Sequence, residues 1–234
     1  MQAFYAPDIA GGEYKLDENE SGHCIRVLRM KAGSFIRLVD GKGTLFEGIV
    51  VNPDPKGCTV SITAVTRDFE KRDYRLHIAI SPLKNPVRFE WFIEKSVEIG
   101  IDEITPVICD NTEKPGIKAD RLRSLIISAM KQSLKPSLTR LNEACRFNDF
   151  IRNDAGGTRM IAHCYQDTVR SGISDVYARG SDALIMIGPE GDFSPGEVSM
   201  AAGKGFVPVH LGKSRLRSET AGIAACHSIY FINQ

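Results

Sequence analysis

Two short segments hold most of the residues whose types and spacing could do chemistry. The first, IGPEGDFSPGE (187–197), follows an apolar run and packs three glycines and two prolines around three carboxylates. Glycine directly after a strand lets a ligand approach the backbone closely. A phosphate cradle needs GxGxxG or GxxxxGK[ST], and neither pattern occurs. Pro189 removes one backbone donor, and Glu190 with Asp192 carries the wrong charge for an anion. A ligand that is neutral or cationic at its reactive centre fits better, such as an adenosine joined to a sulfonium. The second segment, LGKSRLRSETAG (211–222), sets Lys213, Arg215 and Arg217 within five residues ahead of an apolar helical run. Those cations could meet a phosphate or a substrate anion. Ser218 or Thr220 is expected to cap the helix that follows.

Elements that position these loops can be read from hydrophobic periodicity. SFIRLVDGKGTLFEGIVV gives a hairpin around Asp-Gly-Lys-Gly, and CTVSITAV alternates as a third strand. From Tyr74 the rhythm changes. Strands at YRLHIAISPL, EITPVIC, TRMIAHC, ALIMIG and FVPVHLG alternate with helices. One helix runs through VRFEWFIEKSVEIG and closes at Gly100, another through ADRLRSLIISAMKQSL, a third from SPGEVSMAAGKG with Ser194 as cap and Pro195 at its first position, and a last through SETAGIAACHSIYFI. Alternation of this kind predicts an α/β class with a mostly parallel sheet and ligands at the carboxyl ends of its strands. The charged stretch RDFEKRD (67–73) marks the boundary between a β-rich domain over 1–70 and an α/β domain over 71–234.

Composition narrows the class further. The chain has 234 residues, 42% hydrophobic and 25% charged, which is ordinary globular composition. No stretch approaches the roughly 18 apolar residues a membrane-spanning helix needs, and no basic start with an apolar centre marks a secretory signal. Six scattered cysteines form no CxxC pair and no zinc spacing, so a reducing, cytoplasmic setting without structural metal is expected. The net charge is only +1, but Lys114–Arg140 carries seven basic residues against one acid, and residues 22–72 carry nine against five. Two basic regions on a near-neutral chain point to a polyanion partner. The row Glu90, Glu94, Glu98 with Lys95 reads as a solvated helix face or as a fold-holding ion pair that positions Lys84 and Arg88. His163, at the end of MIAHC, could line the same pocket as the two loops but reads first as a satisfied core residue.

The two loops together resemble the signature segments of the ribosomal RNA small subunit methyltransferase E family, within the SPOUT class. LKNPVRFEWFIEKSVEIG is similar to a further family segment through Lys84, Arg88, Glu90, Lys95, Glu98 and Gly100. AMKQSLK is similar through Gln132, Ser133 and Lys135, and HCIRVLRM through His23, Val27, Leu28 and Arg29. The resemblance runs through nearly the whole chain in order. Asp192 stands where the family most often has glycine, Ile99 replaces leucine, Lys131 takes a position that is commonly acidic, and Ser218 replaces threonine.

The resemblance implies methylation of N3 of a uridine in 16S ribosomal RNA, with S-adenosylmethionine as donor. It implies an N-terminal PUA-like β-barrel and a C-terminal sheet tied in a trefoil knot, acting as a homodimer on the small ribosomal subunit. Patterning alone would not give a knot. Catalytic candidates are Arg217 as anion stabiliser and Glu190 or Glu219 as base. Ile187, Gly188, Gly191, Leu211, Gly212 and Leu216 are expected to hold the cofactor. RNA contacts are expected from His23, Arg26, Arg29, Lys84, Arg88, Lys131, Lys135 and Arg215. The terminal helix over 221–232 is expected to form part of the dimer interface, since apolar positions nearly encircle it. Competing readings are a SPOUT enzyme acting at another RNA position and a non-catalytic RNA-binding assembly factor.

Overall fold

The computed structural model describes residues 3–152, 156–165 and 168–234. It divides into two compact units, Met1–Lys71 with Ile127–Leu138, and Arg72–Ile126 with Thr139–Gln234. The first unit opens with β1 (Phe4–Tyr5), β2 (Glu13–Lys15) and α1 (Glu18–Gly22), which runs into a π-helical turn over His23–Val27. Three longer strands follow, β3 (Phe35–Val39), β4 (Leu45–Asn52) and β5 (Thr59–Thr66).

These five strands form one sheet in the order β1-β3-β4-β5-β2. The expected hairpin joins β3 to β4, and the Asp40 carboxylate fixes its turn by accepting the N–H groups of Lys42 (2.7 Å) and Thr44 (3.0 Å). Alternate strand residues Ile36, Leu38, Phe46, Val50 and Val60 meet Phe4 and Leu16 in the core of this unit.

In the second unit the chain runs through β6 (Leu76–Ile80), α2 (Pro86–Ile99), β7 (Glu103–Ile108), α3 (Ala119–Gln132), β8 (Arg140–Leu141), β9 (Cys145–Arg146) and α4 (Phe147–Phe150). It continues with β10 (Thr158–Ala162), β11 (Ser171–Gly172), α5 (Ile173–Val176), β12 (Ala183–Ile187), α6 (Pro195–Gly203), β13 (Val207–His210) and α7 (Ser218–Ile232). The sheet order is β11-β13-β10-β12-β6-β7-β8, with β9 also on β7, and every pairing among the described residues is parallel. Parallel strands buried on both faces read as continuous apolar runs. β12, ALIMI, is buried at all five positions. Its Leu184 and Met186 join Ala79, Val107, Ile161 and Phe193 in one core cluster.

Local signals explain the helix ends. The Asn85 side chain accepts the Val87 N–H at 3.0 Å, Pro86 opens α2, and Gly100 closes it with φ 114°. Ser194 and Glu197 form a reciprocal capping box at the start of α6. α7 departs from expectation. Its N-cap is Arg217, which makes no side-chain cap hydrogen bond, so neither Ser218 nor Thr220 caps this helix. Both lie inside the first turn, past the N-cap position where a side chain could reach the free N–H groups. α7 packs tightly on α2, because a Cβ at Gly222 would stand 2.6 Å from the Phe92 ring.

The closing half of α3 and the segment to Leu138 belong to the first unit. There Lys131 pairs with Glu20, both nearly buried, and its carbonyl accepts the Ala3 N–H at 3.0 Å. Lys135 pairs with Glu70 at 3.3 Å. Among the described residues no helix is long and apolar enough to cross a membrane.

Candidate functional site

Three neighbouring strands, β13, β10 and β12, run parallel, and register pairs Ala162 with both Ile187 and Val209. The chain therefore leaves the sheet along one edge at His163, Gly188 and Leu211. The loops that follow enclose a cavity of about 320 Å³. Ala162, Ile187, Val209, Leu211, Leu216 and Ala221 give it apolar walls. Glu190, Asp192, Arg170, Arg215 and Arg217 bring both signs of charge to its lining.

The loop after β12 is braced from several sides. One Glu190 oxygen accepts the Lys84 N–H at 3.0 Å. Asn111 donates to the carbonyls of Gly191 (3.1 Å) and Asp192 (3.0 Å). The buried Glu197 carboxylate accepts the N–H groups of Asp110 (2.9 Å) and Ser194 (2.8 Å), and Ser194 donates its hydroxyl proton to Asp110 at 2.6 Å. Asp192 adopts φ 63°, a left-handed conformation that glycine takes without strain. Its carboxylate accepts the N–H of Cys164 and of Phe193, each at 2.8 Å. That double acceptance is what aspartate supplies at a glycine-favouring position, and it ties the loop after β12 to the loop after β10.

The loop after β13 turns at Gly212 (φ 101°), whose N–H donates to the His210 Nδ1 at 3.2 Å. Arg215 and Arg217 are exposed, while Leu216 between them is half-buried. Ser218, the first residue of α7, lines the cavity, so the side-chain-uncapped start of that helix opens onto it.

His163 also lines the cavity and is 4% exposed. Its Nδ1 accepts the Tyr165 N–H at 3.2 Å. The other ring nitrogen, Nε2, is buried with no hydrogen-bond partner among the described residues. Burial depresses the imidazole pKa and Arg170 adds to this, against an upward pull from Asp192. The ring is neutral at pH 7. His163 is thus not the satisfied core histidine its sequence position suggests.

The expected residues separate into groups. The cavity gathers Ile187, Gly188, Glu190, Leu211, Gly212, Arg215, Leu216 and Arg217. Gly191 lies just outside that lining, with its carbonyl held by Asn111. Glu219 is also outside it. This carboxylate is 5% exposed, 3.7 Å from the Arg88 guanidinium, and its Oε2 has no hydrogen-bond partner among the described residues. Lys84 sits in an exposed pair with Glu113 at 2.7 Å. Arg26 and Arg29 are exposed and His23 is half-buried, all in the first unit. Lys131 and Lys135 hold ion pairs in that same unit. The carboxylate row on α2 is ion-paired as expected, with Lys95 between Glu94 and Glu98, and Arg121 clamping Glu90 through two hydrogen bonds. Sequence reading did not single out Arg170, Cys164 or His210, which no glycine-rich motif announces.

A parallel sheet with such a cavity at its carboxyl edge defines a class, and comparison with known proteins identifies it. A family model described as an RNA methyltransferase domain matches residues 70–230, and one described as an RNA methyltransferase PUA domain matches residues 16–63. The chain belongs to this RNA methyltransferase family, the one that includes the proteins named ribosomal RNA small subunit methyltransferase E.

The protein of that name from Synechocystis sp. is 28% identical over 211 residues, covering 87% of this chain and 68% of its own. The one from Bacillus subtilis is 24% identical over 233 residues, covering 93% and 90%. Among solved structures, a probable rRNA-methyltransferase from Porphyromonas gingivalis is 43% identical with a TM-score of 0.92, covering 100% of this chain and 98% of its own. A methyltransferase from Legionella pneumophila, determined in complex with the bound cofactor SAM, is 26% identical with a TM-score of 0.86, covering 98% and 96%. The resemblance drawn from the loop sequences is borne out at the level of the family.

Proposed function

We propose that this chain methylates N3 of a uridine in 16S ribosomal RNA with S-adenosylmethionine as donor. The observation that carries this reading is the cavity at the ends of β13, β10 and β12, apolar in its walls and charged at its lining. Its volume of about 320 Å³ lies in the range of small-molecule sites.

The residues present fit the donor. Apolar side chains of Ile187, Val209, Leu211 and Leu216 suit an adenine ring. Gly188 and Gly212 leave backbone groups open to close approach. Glu190 and Asp192 suit a sulfonium and oppose a phosphate. When bound, S-adenosylmethionine supplies a methyl group on a sulfonium for displacement by the deprotonated N3.

The chain's own residues then have two tasks. The first is alignment, which can account for about 7–11 kcal/mol of a barrier in a two-reactant step. The loop after β12, held at Glu190 by the Lys84 N–H, at Gly191 and Asp192 by Asn111, and at Asp192 by the Cys164 N–H, supplies a frame for it. The second is the uridine N3 proton. Glu190 lines the cavity and is exposed, so it is the carboxylate able to accept that proton and pass it to water. Glu219, buried beside Arg88, instead holds α7 to α2. Arg217 stabilises the charge that spreads onto O2 and O4 of the uridine anion. Arg26, Arg29, Lys84 and Arg215, exposed on their units, supply phosphate contacts. The trefoil threading and a homodimer through α7 belong to the same reading.

Mass spectrometry of 16S RNA from a deletion strain tests the substrate. Loss of 3-methyluridine, restored by the wild-type gene, is the expected result. Persistence of 3-methyluridine at full level overturns the assignment.

A further inference from the structure

His163 presents an unusual combination for a residue that is 4% exposed. Its Nδ1 accepts a hydrogen bond from the Tyr165 N–H. A neutral imidazole has one donor and one acceptor nitrogen. An Nδ1 engaged as acceptor forces the ring proton onto Nε2. That nitrogen is buried and has no partner among the described residues, although the residue lines the cavity. Buried donors are nearly always satisfied in folded proteins, so an orphan one at a ligand site points to an acceptor that arrives with the ligand.

The ring is held in place as well as in tautomer. Arg170 donates to the His163 carbonyl at 2.5 Å, and the Asp192 carboxylate binds the next residue through the Cys164 N–H. The Tyr165 ring lies 5.7 Å from the imidazole, and its hydroxyl is anchored on the Phe193 carbonyl at 2.8 Å. Contacts from two of the three cavity loops thus fix the backbone that carries this side chain and the ring beside it.

We propose that His163 is a specificity-determining residue whose Nε2–H donates to an acceptor of the methyl donor's adenosine, a ring nitrogen or a ribose oxygen. This rests on the methyltransferase reading above. The adenosine is favoured over an RNA base because His163 is buried, whereas the cations suited to RNA, Arg215 and Arg217, are exposed. The ring stays neutral at pH 7 because burial depresses its pKa, so it places a donor in the cavity without adding a positive charge opposite a sulfonium.

The test uses S-adenosylhomocysteine as probe, with two readouts. By calorimetry, His163→Ala should bind it about 3–30-fold more weakly than wild type, the loss expected for one hydrogen bond. His163→Gln, which retains a donor, should recover part of that loss. By ¹⁵N imidazole NMR of the wild-type protein, His163 should show its proton on Nε2 and a shift of that resonance on saturation with the probe. Equal affinity in a folded His163→Ala protein, or a resonance that moves only when RNA is added, overturns the proposal. The wild-type NMR measurement keeps it testable should the alanine variant fail to fold. A wild-type protein that takes up no S-adenosylhomocysteine at all overturns the methyltransferase reading, and this proposal with it.

Discussion

Asp192 accepts the backbone N–H of Cys164 at 2.8 Å and so links two loops that lie 28 residues apart in sequence. The same carboxylate takes the N–H of Phe193, and the residue holds φ 63°. Charge-assisted hydrogen bonds contribute about 1.5–3 kcal/mol each, more than the roughly 1 kcal/mol that a left-handed aspartate costs. Asp192→Ala should therefore be worse than Asp192→Gly, because alanine loses both bonds and keeps the backbone strain. Both variants should accelerate hydrogen exchange at the Cys164 amide. Thermal melts and exchange mass spectrometry give the ranking, and an Asp192→Gly protein more stable than wild type would contradict the tether.

Arg217 lines the cavity while remaining exposed, so its charge is available to a bound partner. Arg217→Ala should lower turnover by about 10²–10³, the range for losing a group that stabilises developing negative charge. S-Adenosylhomocysteine affinity should change by less than about threefold. Steady-state kinetics beside calorimetry separates the two effects. Equal losses in both would assign Arg217 to the cofactor or to the fold.

Arg88 and Glu219 form the one charged link between α2 and α7 among the described residues. Removing the cation leaves a buried carboxylate uncompensated. Arg88→Ala should cost on the order of 2 kcal/mol, below the figure for fully buried pairs because Arg88 is partly exposed. Glu219→Gln should cost less, and the double variant should cost less than the sum. Urea denaturation of the four proteins in a mutant cycle measures the coupling.

His77 makes a pH prediction away from the cavity. Its Nε2 lies 2.7 Å from the Thr105 hydroxyl oxygen, which also accepts from Asn142 at 2.7 Å. Burial pushes its pKa down to about 4, against an opposing pull from Glu103. Between pH 4 and the ordinary histidine value of about 6.5, the unfolded chain binds a proton that the folded ring refuses. Stability is therefore complete above that window and falls as pH drops through it, by on the order of 3 kcal/mol in all. Urea midpoints from pH 7.5 to 4.5 should fall more steeply for wild type than for His77→Asn. Parallel curves would show that His77 is not the group responsible.

Much of the second unit was legible in the sequence because its signals are local. Ser194, Pro195 and Glu197 announce α6, Gly100 ends α2, and the unbroken ALIMI run declares a buried parallel strand. Both glycine-bearing loops could be read as ligand loops from their residues alone. Of the third loop only His163, from its place at a strand end, could be read as a candidate lining residue, since Cys164 and Arg170 carry no motif and join the cavity only through the strand order β13-β10-β12. The partners of Lys131 and Glu219 were equally hidden. Glu20 lies 111 residues from Lys131, and Arg88 lies in α2, far along the chain from Glu219. No local spacing predicts pairings at such range.

The interleaved order of the strands has a kinetic consequence. Since the sheet order β13-β10-β12 differs from the chain order, Ala162, Ile187 and Val209 come to line one cavity only once these three strands have paired. Such non-local parallel pairings form late because loop closure precedes their reward. Closure of this cavity during refolding therefore serves as a clock, reporting the moment the last of these three strands docks.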